Sequence, residues 1–206
     1  MSESLRPLNS YLNGFRVIRE YRLFVRCFIV ERAIASKSLR KSFFFGILFI
    51  GILGVPVHYL YELSGNSPIV AFFAPVNESV WEHLKLSLLP TVIWWTLTYI
   101  ILKRKSQIIF SSWFFSFVTA FLACTLIIVS FYYSYTGAFG IHSTALDIFS
   151  YYLGVSLSQL IAMHIYIHAR INSFLFYLSA LIFAILMIAF IIFTFDPPQL
   201  PIFEEL

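Results

Sequence analysis

Charge and cysteine are what this chain has least of. Only 12% of its 206 residues are Asp, Glu, Lys or Arg, against about 25% in an ordinary soluble domain, while 60% are hydrophobic; a water-soluble globule is excluded. Its two cysteines, Cys27 and Cys124, lie far apart, so there is neither a disulfide framework nor a CxxC spacing. The HExxH pair of helical zinc enzymes is missing as well. A formal net charge of +4 would suggest nucleic acid only if the basic residues formed a patch on a soluble surface, and their distribution places them at membrane flanks instead. No repeat recurs along the chain, which removes the usual sign of an inverted-repeat transporter.

Long apolar runs fill most of the sequence. A spanning helix needs roughly 20 mainly apolar residues, and five stretches qualify: about Phe43–Glu62, Leu84–Leu102, Gln107–Tyr132, Leu146–Ala169 and Phe174–Phe195. These predict an all-α, polytopic bundle of five transmembrane helices over residues 43–206, preceded by a basic segment over 1–42. Thirteen of the 14 Lys and Arg fall before the first span, after the second or after the fourth, with Lys85 the exception. Positive flanks stay in the cytoplasm, so the chain reads as a multi-pass cell-membrane protein with its N-terminus cytoplasmic and its C-terminus extracytoplasmic. The first segment contains FRVIREYRLFVRCFIVERA, which reads as a basic amphipathic helix on anionic lipid or as a charged tail that only fixes topology.

Ionisable residues at membrane depth are costly and so point to function. Seven gather on the predicted outer side. His58 and Glu62 are four apart at the end of the first span; Glu78 and Glu82 are four apart at the start of the second, with His83 beside them; His142 and Asp147 flank the start of the fourth. Residues four apart share a helix face, and mixed His and carboxylate donors suit zinc, manganese or iron. His58, Glu62, Glu78, His83, His142 and Asp147 are therefore the candidate metal ligands, and Glu78, Glu82 and His83 the candidate catalytic groups. A structural reading competes: Asn77 caps the second helix, Glu78 suits its first turn, Trp81 anchors at the interface and Lys85 pairs with Glu82 or Glu78.

A second group, Gln159, His164 and His168 on the fourth helix, would extend a polar lane from Asp147 to the opposite end. With Asn77 and Lys85 these are the candidates for a substrate or ion path. Gly46, Gly51 and Gly54 permit close approach of the first helix to its neighbours. The prolines of FDPPQLPIFEEL stop the last helix and predict an extended strap over the outer face.

The segments PVNESVWEHLKL, HYLYELSG and FTFDPPQLPIF resemble a family of small bacterial integral membrane proteins of unknown function, marked by PVNESVWEHLK and a C-terminal PPxxPIF. The resemblance covers about Phe43–Phe203 and implies no activity, cofactor or partner; the residues before Ser42 read as an extension to it. Three functions fit the residues: a metal-dependent hydrolase or group-transfer enzyme acting on a lipid or small amphiphile, an ion or small-solute transporter or channel, and a non-catalytic membrane subunit or sensor. Membrane lipids are the expected partners, with a second copy or another membrane protein as further candidates.

Overall fold

The computed structural model describes residues 37–104 and 108–205. Lys41–Leu206 form one compact unit. Residues 1–36, including the amphipathic segment expected there, lie outside the described residues.

Among the described residues all regular structure is helical. The helices are α1 (Lys37–His58), α2 (Leu60–Leu63), α3 (Val80–His83), α4 (Lys85–Lys103), α5 (Phe110–Phe139), α6 (Thr144–His168) and α7 (Ser173–Phe195). Five stretches are long and apolar enough to cross a membrane: α1, α3 with α4, α5, α6 and α7. Short 3-10 turns occupy Val70–Phe72 and Pro201–Phe203. Successive spans run in opposite directions: His58 at the end of α1 stands by Glu78 just before α3, Tyr99 near the end of α4 meets Phe110 at the start of α5, Trp113 near the start of α5 meets Tyr166 near the end of α6, and Phe110 also meets Phe176 near the start of α7. One end of the bundle, the His58 end, therefore carries the end of α1, α3, the end of α5, the start of α6 and the end of α7.

Two boundaries differ from those predicted. The first span, described from Lys37, stops at His58 rather than at Glu62, two residues past Pro56, whose missing N–H leaves the Ile52 carbonyl without its helical donor. After α2 the chain reverses through Gly65 and Asn66, whose φ values of 71° and 61° are left-handed, a conformation Gly and Asn tolerate best. The third span continues past Tyr132 to Phe139 and ends where Gly140 turns left-handed at φ 64°. Its 30 residues rise about 45 Å, more than the roughly 30 Å of hydrocarbon, so Tyr132, Tyr133 and Tyr135 belong to the helix rather than to a loop.

One core joins all five spans: Ile50, Leu88, Phe121, Cys124, Val155 and Phe190 are buried together. Close contact is set by glycines. A Cβ on Gly46 would strike the Trp94 indole at 2.5 Å, and one on Gly54 would strike the Tyr151 phenol, so α1 lies against α4 and α6 only because these side chains are absent. Tyr151 Oη lies 2.8 Å from the Ile50 carbonyl and 3.3 Å from that of Leu86. Leu86 is four residues before Pro90, which has no N–H to give it, so the phenol lies where that amide hydrogen would have been. The outer surface is greasy: α7 has only 11% of its most apolar window buried, as a lipid-facing helix requires.

Candidate metal centre

The site is built around α3, a four-residue helix that could not persist on its own, since short helices do not recover their nucleation cost. Each of its side chains has a separate partner. Val80 packs with Tyr132 and Tyr135 of α5. Trp81 stacks against Phe190, Phe193 and Phe203, with centroids 4.7, 5.5 and 5.1 Å away; it faces inward rather than serving as the predicted interfacial anchor. Glu82 and His83 carry the polar chemistry, on opposite sides.

Glu82 belongs to a closed network. Its Oε2 accepts from Lys85 Nζ at 2.7 Å and from the Val76 amide at 3.0 Å, and its Oε1 lies 3.0 Å from Thr194 Oγ1, whose one hydrogen is shared with the Phe190 carbonyl at 2.6 Å. Lys85 Nζ donates to Glu82, to the Ala71 carbonyl at 2.8 Å and to Thr194. An ammonium has three hydrogens, and all three are used. Lys85 is 0% exposed and Glu82 2%, so this pair stitches the 70–76 loop, α3, α4 and α7 together with no donor left over. Its residues are those of a structural anchor, and the network meets the requirement that buried charges be paired and hydrogen-bonded.

His83 faces the other way and meets Glu78 and His58. His83 Nε2 stands 3.2 Å from Glu78 Oε2, and His58 Nε2 stands 3.9 Å from the same oxygen. The two imidazoles meet edge to face, 5.2 Å between centroids, and one ligand atom from each residue fits within a 4.8 Å group. The group is open on one side, with Glu78 63%, His58 31% and His83 25% exposed at their side chains.

The tautomer of His83 is fixed by its neighbour. Its Nδ1 lies 2.9 Å from the Ser79 carbonyl, and a carbonyl only accepts, so Nδ1 carries the hydrogen. In the neutral ring Nε2 then presents a lone pair to a carboxylate oxygen. Two acceptors at 3.2 Å require a cation between them, either a proton or a metal. Two donor atoms on a tetrahedral zinc, at about 2.0–2.1 Å each, stand about 3.3 Å apart, close to the 3.2 Å between His83 and Glu78 and shorter than the 3.9 Å between His58 and Glu78. A backbone carbonyl on the distal imidazole nitrogen is also the support that metal-bound histidines generally have.

The remaining candidates lie elsewhere. Glu62 is exposed on α2, beyond the break that follows His58. His142 Nδ1 is 3.3 Å from Tyr132 Oη, and Asp147 accepts from Tyr135 Oη at 2.6 Å, so both pair with α5 tyrosines and neither joins the three-residue group. Asn77 does not cap a helix; its side chain accepts from the Ser79 amide at 3.1 Å, and Ser79 is the N-cap, accepting from the Glu82 amide at 3.3 Å. Gln159 is 1% exposed with its Oε1 unpartnered. His164 and His168 are exposed, stacked 4.4 Å apart, with His168 Nδ1 2.9 Å from the His164 carbonyl. Two contributors escaped the sequence reading. Ser79 was announced by Ser79-Val80-Trp81-Glu82, which has the Ser-x-x-Glu spacing of a capping box; Thr194 had no local signal, because its partners are 109 and 112 positions away.

No curated protein and no solved structure matches the chain. Residues 32–206 match the family of unknown function DUF6512, a span that reaches further toward both termini than the resemblance at Phe43–Phe203 suggested. With that match covering most of its length, the chain belongs to this family of unknown function.

Proposed function

We propose that the protein is a membrane-embedded metalloenzyme in which His58, Glu78 and His83 hold one divalent ion, zinc before manganese or iron, for hydrolysis or group transfer on a lipid or small amphiphile. The observation that carries this reading is the His83 ring: with Nδ1 committed to the Ser79 carbonyl, its lone pair faces Glu78 at 3.2 Å, with His58 beside both. Two histidines and one glutamate are a donor set of catalytic zinc sites, which keep a fourth position open. Such an ion lowers the pKa of bound water to about 7 and polarises an ester or phosphoryl oxygen. His58 ends one spanning helix and Glu78 immediately precedes another, so the group sits at a membrane boundary, the depth at which an amphiphile presents its polar end. The Lys and Arg asymmetry supports an extracytoplasmic position for this end, in a bacterial plasma membrane.

Elemental analysis of the detergent-solubilised chain, purified without a chelating tag, tests the assignment. One metal per chain is expected in the wild type, with at least a tenfold loss of affinity in Glu78→Gln and His83→Ala and no change in Glu62→Gln. A folded wild type that takes up no zinc, manganese or iron overturns it and leaves a proton as the cation between His83 and Glu78.

A further inference from the structure

The chain after α7 returns to the site. Ser79 and Glu205 form an antiparallel β-bridge, Phe203 lies 5.1 Å from Trp81 and 5.4 Å from Phe193 between ring centroids, and Ile202 packs against the cluster of Val80, Tyr132 and Tyr135. These contacts tie α3 to the segment that follows α7. Ser79 is the residue on which they converge: 1% exposed, it caps α3 through its hydroxyl, it is clasped by Glu205, and its carbonyl receives His83 Nδ1.

We infer that the C-terminal strap, residues 201–205, is a positioning element for the metal centre, with Phe203 its principal contact and the Ser79 carbonyl the atom through which it acts. The inference rests on the metal reading above. α3 continues through the helical Leu84 into α4, which carries its C-terminal end, so the end that bears the Ser79 carbonyl is set by whatever holds Ser79 and Trp81. Those holds are α7, through Phe190 and Phe193, and the strap. Phe203 touches neither His83 nor Glu78 in any contact described, and so acts on the lone pair only through the backbone of α3. Outer-shell partners of metal-bound histidines commonly govern affinity by 10–100-fold, and here the partner's own position depends on residues about 120 positions away in the chain.

The experiment uses the full chain in lipid nanodiscs with two readouts. Cobalt substitution reports ligand geometry through the d–d absorption of the ion, and 15N-histidine NMR of the metal-free protein reports the tautomer of His83, identified by loss of its signal in His83→Ala. For Phe203→Ala the expected result is a cobalt affinity at least tenfold lower, with altered d–d bands, and a His83 that no longer holds a single Nδ1–H tautomer; Phe203→Tyr restores both. Phe190→Ala, which removes a 1% exposed core ring that also packs on Trp81, serves as the comparison: it lowers the thermal midpoint more than Phe203→Ala and the cobalt affinity less. A Phe203→Ala protein with wild-type cobalt spectrum and wild-type His83 tautomer overturns the strap assignment and leaves the metal site standing. A wild type that binds no cobalt overturns the metal reading, and the tautomer measurement then decides the strap separately: loss of the Nδ1–H form in Phe203→Ala supports its hold on His83, and an unchanged form overturns it.

Discussion

Both ends of the bundle pack aromatic rings between remote segments, but only at one of them are these joined by a dense set of polar side chains. At the His58 end, polar side chains join segments remote in sequence: Lys85 and Glu82 reach Ala71, Val76 and Thr194, Tyr135 reaches Asp147, and His58 approaches Glu78 and His83. Toward the other end, aromatic rings do this work, with Phe43, Trp95 and Trp113 in mutual contact and Phe110, Phe114 and Phe176 beside them. Hydroxyls in the membrane interior mostly donate to carbonyls of their own helix, as Thr98, Ser158 and Ser179 do; the Trp113 indole, which donates to the Trp95 carbonyl at 3.1 Å, is an exception that crosses helices. A polar residue inside a spanning helix is thus a different object from a polar residue at its end. Most of the first kind are satisfied on their own helix, with Tyr151 and Trp113 reaching their neighbours; the second specifies which segments meet.

The largest break of this contrast is expected at Lys85. Lys85→Met leaves the Glu82 carboxylate buried without its cation and is expected to cost about 3–5 kcal/mol, read as a lowered midpoint of unfolding in detergent. The double variant Lys85→Met with Glu82→Leu should recover most of that loss, because an apolar pair of similar volume replaces both charges; a double variant as unstable as the single one would show that the network does more than neutralise itself. A smaller effect is expected where α1 meets α6. Gly54→Ala places a methyl group against the Tyr151 phenol and should cost about 1–3 kcal/mol by overpacking, measured in the same unfolding assay. The smallest effect belongs to Gln159. Its Oε1 has no partner, so Gln159→Leu removes an unsatisfied acceptor and should be neutral or stabilising by about 1 kcal/mol; a loss larger than that would mean the amide serves something in the membrane interior.

Much of the architecture was legible because hydrocarbon thickness imposes a length and a composition that apolar runs display directly. The five spans follow from that alone. The site was legible in its members more than in its grouping. His58, Glu78 and His83 stood out as ionisable residues at span ends, yet the i, i+4 argument that linked His58 with Glu62 and Glu78 with Glu82 assumed continuous helix through both pairs. The ladder stops at His58, and the second helix does not start until Val80. Glu78 therefore lies outside the helix that carries Glu82, and the two carboxylates serve separate networks. The pairing of Lys85 with Glu82 was local enough to anticipate; that of both with Thr194 was not, since no pattern in α7 distinguishes that threonine from one bonded only to its own helix.

Tyr151 sets a mechanical condition on the rest. Pro90 leaves the first turns of α4 without one rung of their own ladder, and in a membrane interior no solvent can supply the missing hydrogen. The phenol of α6 stands in that gap while also touching the Ile50 carbonyl of α1. The pitch of the segment that bears His83, Glu82 and Lys85 is thereby referred to α6 and α1 as well as to the lower part of α4. Three helices share one fulcrum there, and a shift of α6 along its axis would be delivered to the His58 end as tilt.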